Sequence, residues 1–206
     1  KYADLIKGDD SSNPITPVGP SKPSKPTEPT EPSEPSEPVT PAAPTFNDVT
    51  ESDWYYDGVK YACDNGLMNG TSANAFSPNA DTTRSMIVTI LARMEGVNTS
   101  GGATWYTAGR AWAMENGISD GTNMEGKITR EQLAAMLYRY AGSPAVSGSL
   151  PFSDAGSVSD YAQNALIWAT QNGILNGYAD GRVVPAANSK RSQVAAMMAR
   201  FIQNAQ

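Results

Sequence analysis

Three stretches of this chain close on one pattern: glycine, an aliphatic residue, two variable residues and glycine again. The copies are Gly66-Leu67-Met68-Asn69-Gly70, Gly117-Ile118-Ser119-Asp120-Gly121 and Gly173-Ile174-Leu175-Asn176-Gly177. An arginine follows the first glycine of each at a spacing of 18, 13 and 18 residues: Arg84, Arg130 and Arg191. A unit repeated at intervals of 51 and 56 residues is longer than the common 34-residue helical repeats, and it presents similar surfaces several times over.

Aligned on the first glycine, each copy carries an aromatic residue twelve places earlier (Trp54, Trp105, Tyr161) and a small one eight places earlier (Gly58, Gly109, Ala165). A second aromatic (Tyr61, Trp112, Trp168) stands five places earlier, and alanine four places earlier. These offsets lie on one face of an α-helix, with rings packing past small residues where two helices approach closely. Gly66, Gly117 and Gly173 fit the position just past a helix end, where a left-handed residue stops the helix without a Cβ penalty. Counting from each arginine, apolar residues at offsets 3, 6, 7 and 10 predict a second amphipathic helix with a Met-rich buried stripe. Thr83 is its expected N-cap in the first copy, Thr129 with Gln132 a capping box in the second, and Ser189-Lys190 a weaker start in the third. A second arginine nine residues on (Arg93, Arg139, Arg200) faces away from the first on its own helix, and carbonyls near the helix end are its expected partners. The expected fold is all-α, with three helix–loop–helix units sharing one core.

The chain changes character near residue 45. Eleven of its 15 prolines occupy every third position from Pro14 to Pro44, so their rings align along one edge of a polyproline II rod on the order of 95 Å long. The expected organisation is the end of an upstream module at 1–10, a Pro/Thr/Ser/Glu-rich linker at 11–45, and units at 46–98, 99–143 and 144–206. A sequence opening on Lys1, with little of its own before the linker, reads as the C-terminal part of something longer.

Composition removes several functional classes. The formal charge is −6, and neither part has the basic excess or basic run of a nucleic-acid binder. Histidine is absent and Cys63 is the sole cysteine, so the commonest general base and metal ligand are missing; no metal site and no cofactor is expected. No apolar run reaches 18 residues, so no membrane span is expected.

The residues resemble tandem surface-layer homology (SLH) domains. Phe46-Asn47-Asp48 leads to Trp54, a glycine-rich loop runs from Gly70 to Phe76-Ser77-Pro78, and Thr83-Arg84 opens the last helix. The third copy has Phe152-Ser153-Asp154, Gly177-Tyr178-Ala179-Asp180-Gly181 and Lys190-Arg191; the second has Ile128-Thr129-Arg130-Glu131-Gln132. The second copy lacks Phe-x-Asp and has a shorter loop, so fewer than three working sites are expected. The resemblance implies a pseudo-threefold helical prism and a non-catalytic anchor outside a bacterial cell. Grooves between repeats would hold a secondary cell-wall polysaccharide, often one ending in a pyruvate ketal, and neighbouring S-layer subunits are a further implied partner.

Residue chemistry is compatible with that implication. Arg84, Arg130 and Arg191 are candidates to grip a carboxylate, helped by free backbone N–H groups of the same helix turn, or else are solvated first-turn residues or members of inter-repeat ion pairs. Asp48 and Asp154 are candidate acceptors for sugar hydroxyls, or caps of the segment that follows. Trp54, Trp105 and Tyr161 are candidate sugar platforms or core residues, and Gly70, Gly121 and Gly177 allow close backbone approach. The rival function is a protein-interaction repeat whose grooves hold a peptide or subunit. A glycan-cleaving enzyme is disfavoured, because Asp48 and Asp154 recur at equivalent positions and do not form one asymmetric acid–base pair.

Overall fold

A computed structural model describes residues 45–204. The segment expected at 1–10 and, apart from Thr45, the linker expected at 11–45 lie outside those residues. Six α-helices carry the described part: α1 (Tyr56–Asp64), α2 (Arg84–Met94), α3 (Thr107–Glu115), α4 (Arg130–Tyr140), α5 (Gln163–Gln171) and α6 (Arg191–Asn204). Two short 3-10 turns precede α5, and no strand forms among the described residues. The all-α expectation holds.

The glycine stops work as the pattern requires. Gly66, Gly117 and Gly173 have φ of 66°, 67° and 65°. The next residue's N–H bonds back to Ala62, Ala113 or Ala169 at 2.8 Å, and this closes a Schellman motif at each helix end. Leu67, Ile118 and Ile174 thereby fold onto the last turn and are buried. The residue before each glycine adds a contact that the pattern did not single out. Asn65, Asn116 and Asn172 donate their side-chain amides to the carbonyls of Tyr61, Trp112 and Trp168, each at 2.8 Å.

One sequence reading needs correction here. Trp54, Trp105 and Tyr161 do not lie on the apolar stripe of the first helices, because α1, α3 and α5 begin two residues after them. They stand in the preceding turn at 64%, 53% and 52% exposure, so helical phase does not apply to them. Of the later aromatics, Trp168 is buried, while Tyr61 and Trp112 pack half-buried against the core. Cys63 is likewise half-buried, and burial pushes its thiol pKa up.

The first helix of each unit packs against the second helix of a neighbouring unit: α3 on α2, α5 on α4, and α1 on α6. The last pairing joins the start of the described chain to its end and closes a ring. Small residues make the approach possible. A Cβ on Gly58 would sit 2.7 Å from the Ala196 Cα, and one on Gly109 would sit 2.9 Å from the Thr89 Cα. The arginine-phased stripe fills the centre, with Ile87, Leu91, Leu133, Leu137, Val194 and Met198 fully buried. Thr83 caps α2, and Thr129 with Gln132 forms the expected capping box on α4.

The three second helices start around a common axis. Thr82 N–H donates to the Ser189 carbonyl (3.1 Å), Ser189 N–H to that of Ile128 (2.8 Å), and Ile128 N–H to that of Thr82 (2.9 Å). All three residues are fully buried, so this backbone triangle is shielded from water. Beside it, Asp81 bridges Lys127 and Lys190, each at 2.6 Å. Lys190 occupies the N-cap place of α6, and its ammonium spends itself on this bridge. Hydrogen bonds from both lysines hold the Asp81 carboxyl below its usual value of 3.8.

A carboxyl depressed by folding contributes stability above its unfolded pKa and loses that contribution as pH falls through the folded value. Asp81→Asn is therefore expected to melt below the wild type at pH 7. The difference should shrink as both proteins are melted at successively lower pH below 4, and a constant difference would contradict the bridge's role.

Candidate functional site

The loops that lead into the second helices position the arginines, and the Phe-x-Asp motif holds two of those loops. Asp48 accepts the N–H groups of Phe76 and Ser77, both at 2.8 Å, and Asp154 accepts those of Val183 and Val184, both at 2.8 Å. Burial pushes the Asp154 carboxyl up, but the Val183 and Val184 N–H groups outweigh it and the net pKa is lowered. Ser77 and Val184 each adopt positive φ, a conformation that β-branched Val184 reaches only under such restraint. Each Asp thus spends both oxygens on backbone, but of a loop 28 to 30 residues further on and not of the segment that follows it, so neither caps that segment. Phe46 and Phe152 cover Gly70 and Gly177, where a Cβ would approach the rings to 2.5 and 2.4 Å. In the second unit the shorter loop needs no such staple. Arg110 donates to the Gly121 carbonyl at 2.7 Å, and Met114 covers Gly121.

The helix N-termini differ from the sequence expectation. The N–H groups of Arg84 and Ser85 bond to the carbonyls of Gly126 and Met124. Those of Arg130 and Glu131 bond to Ala187 and Pro185, and those of Arg191 and Ser192 to Ala80 and Pro78. The first-turn N–H groups are thus consumed by the neighbouring unit and are not free for a ligand.

The arginine side chains reach across the same seams. Arg130 donates from Nε to the Val183 carbonyl and from Nη2 to that of Asn176, both at 2.8 Å. Arg191 does the same to Phe76 (2.8 Å) and Asn69 (2.6 Å). Each guanidinium also lies over an aromatic ring, Tyr178 for Arg130 and Phe76 for Arg191. Arg84 departs from this: Nε reaches the Thr122 carbonyl, but Nη2 bonds the Asp120 carboxylate at 2.8 Å. The three arginines clasp neighbouring units and leave Nη1 as the end without a protein acceptor among the described residues.

Two of the seams open into grooves with matching walls. The groove between the second and third units, of about 500 Å³, runs between Arg130 and the loop Asn176-Gly177-Tyr178. Its far side is Gln193, Ala196, Met197 and Arg200 of α6, and Trp54 stands at its edge. The groove between the first and second units, of about 310 Å³, has Arg84 and Asp120 on one side. Gln132, Ala135, Met136 and Arg139 of α4 form the other, with Tyr161 in the place of Trp54. A third copy of the clasp brings Arg191 against Asn69. Trp105 stands before α3 as Trp54 does before α1.

Arg139 and Arg200 are the residues that sequence reasoning misplaced. On one helix they do point away from the first-turn arginine, yet each groove pairs the first-turn arginine of one unit with the late arginine of the next. Of the three late arginines, Arg139 takes a carbonyl, that of Ile118 just past the end of α3 and not of its own helix; Arg93 donates to the Thr99 hydroxyl, and Arg200 has no hydrogen-bond partner among the described residues. Asp48 and Asp154 line neither groove, and Gly177 lies on a groove wall. Among the described residues there is no cluster of potential metal ligands, and no helix is long and apolar enough to cross a membrane.

A closed ring of helix pairs, with grooves at its seams and arginines and exposed aromatics along them, defines a repeat-built helical module. The sequence model of the S-layer homology domain family matches residues 45–85 and 151–195, and the chain carries S-layer homology domains in those stretches. The stretch between them, holding α3 and α4, falls outside both matches but repeats their helix stops and clasp. The chain is 32% identical over 174 residues to an endoglucanase of Bacillus sp. strain KSM-635, covering 76% of this chain and 18% of the relative. It is 27% identical to an amylopullulanase of Thermoanaerobacterium thermosulfurigenes (75% of this chain, 9% of the relative). It is 31% identical to the surface-layer 125 kDa protein of Lysinibacillus sphaericus (46% and 10%). The chain thus spans less than a fifth of each of these relatives.

Proposed function

We propose that residues 46–206 form a non-catalytic cell-surface anchor that binds an anionic, pyruvylated secondary cell-wall polysaccharide in the grooves between its units. In this reading α3 and α4 belong to a third, diverged SLH unit, and the proline-rich stretch is a spacer to whatever precedes it. The protein acts outside a bacterial cell. Similarity to a short segment of differently named enzymes and of a surface-layer protein supports an attachment segment shared by otherwise different proteins.

The observation that carries the proposal is the groove holding Arg130, Arg200 and Trp54. Arg130 is rigidly held, with its Nη1 unspent, and Arg200 supplies a second cation without a protein counter-ion among the described residues. No carboxylate lines this groove. A ketal carboxylate seated between the two guanidinium groups would gain charge-assisted hydrogen bonds, and the exposed indole of Trp54 offers a face for the apolar edge of the sugar. Local geometry of this kind lets a chain of net charge −6 hold an anionic polymer.

Sedimentation with purified wall sacculi tests this. The protein is expected to pellet with untreated sacculi and to stay in solution once the pyruvate has been removed by mild acid. Equal pelleting in both would contradict the ketal mechanism.

A further inference from the structure

The two grooves have matching walls but a different charge balance, and the third residue after each first glycine accounts for the difference. That residue is Asn69, Asp120 or Asn176. Where it is asparagine, the clasping arginine takes its backbone carbonyl and forms no ion pair among the described residues, although Asp154 or Asp48 lies near enough to favour its charge. Where it is aspartate, Arg84 takes the side chain instead and forms an ion pair at 2.8 Å. A second difference lies just after the arginine, where Ser85, Glu131 and Ser192 stand. Glu131 is buried and accepts hydrogen bonds from Ser159 (N–H 3.1 Å, O–H 2.9 Å) and from the Tyr161 hydroxyl at 3.1 Å. The groove of Arg84 and Arg139 therefore has one carboxylate, Asp120, in its wall and a second, Glu131, buried behind Tyr161. Its lining carries a formal charge of +1 (Arg84, Arg139, Asp120), against +2 for the lining of the other groove (Arg130, Arg200).

We propose that Asp120 is a built-in counter-anion that closes the groove between the first and second units to carboxylated glycan. It is the specificity-determining residue of that seam, and this inference rests on the reading that the seams bind anionic sugar. An incoming carboxylate must lie beside Asp120 or displace it from Arg84, and either arrangement sets like charges a few ångströms apart. The Arg130 seam imposes no such repulsion. Loss of Phe-x-Asp in the second unit does not account for the closure, because Asp48 and Asp154 serve their loops and not the grooves.

Asp120→Asn tests this with little structural disturbance. Oδ1 of asparagine still accepts the Arg84 Nη2 hydrogen bond and the Thr122 N–H bond seen at 3.0 Å, while the charge disappears. The probe is a methyl hexopyranoside carrying a 4,6-linked pyruvate ketal, titrated calorimetrically against the whole chain, with the unketalised methyl hexopyranoside as control. Asp120→Asn is expected to gain one ketal-dependent site per chain, binding about ten-fold or more above any residual affinity of that seam in the wild type. Wild-type binding with unchanged stoichiometry and affinity in Asp120→Asn would overturn the inference and leave the anchoring proposal standing. Absence of ketal-dependent binding in both proteins would overturn the two together.

Discussion

Arg130→Ala is expected to produce the largest single loss, in stability and in wall binding at once. Arg130 is 4% exposed as a residue, and its guanidinium satisfies the carbonyls of Val183 and Asn176 across the seam. Alanine strands both acceptors and removes the cation from over the Tyr178 ring. Losing buried charge-assisted bonds while leaving acceptors unpaired costs about 2–4 kcal/mol. For a domain of this size that corresponds to a fall in Tm of roughly 5–15 °C. Arg130→Lys keeps the charge but cannot bond two carbonyls as a planar fork, so a fall of intermediate size is expected. Binding to sacculi, assayed well below the variant's Tm, should weaken about ten-fold or more. A variant that melts like the wild type would contradict the clasp, and one that pellets like the wild type would contradict the groove assignment.

Gly58→Ala should produce the second-largest effect, through closure of the ring. Its new Cβ would meet backbone, 2.7 Å from the Ala196 Cα and 3.0 Å from the Ala196 nitrogen, so α1 and α6 must move apart. Overpacking of this kind costs about 1–3 kcal/mol. The expected fall in Tm is roughly 2–10 °C, read by thermal denaturation. Because α1 and α6 join the start of the described chain to its end, the strain falls on the closing seam. Ala196 also lines the Arg130 groove, so the same substitution is expected to weaken wall binding. An unchanged Tm would show that the helices do not approach as closely as described.

Much of this architecture could be read from residue spacing because the repeat states its rules three times. Gly66, Gly117 and Gly173 marked helix ends through a local backbone requirement, and the offsets from Arg84, Arg130 and Arg191 marked the buried stripe. Both signals act within a few residues, where periodicity is informative. What spacing did not convey was which unit each residue meets. Spacing alone leaves the first-turn N–H groups free and the partners of the Arg84, Arg130 and Arg191 side chains open, because their acceptors, such as Asn176 and Val183, lie in the next unit. The phase argument that turns Arg139 and Arg200 away holds on one helix, whereas the groove is assembled from two. The offset that puts Trp54, Trp105 and Tyr161 on a helical stripe fails because that helix starts two residues later. Asp120 is one of the variable residues of the motif and carries no signal by spacing, since its consequence depends on Arg84 reaching it across a seam.

Separately titrating the ketalised methyl hexopyranoside and its unketalised parent into isotope-labelled protein, and following the Trp54 indole N–H together with the Arg130 and Arg200 Nε–H resonances, tests the central claim most directly. The account predicts that these three signals shift together with one saturation curve, that the ketal is required, and that the Arg84 signal stays unmoved in the wild type. Saturable shifts confined to other surfaces, or equal shifts with the unketalised sugar, would contradict it.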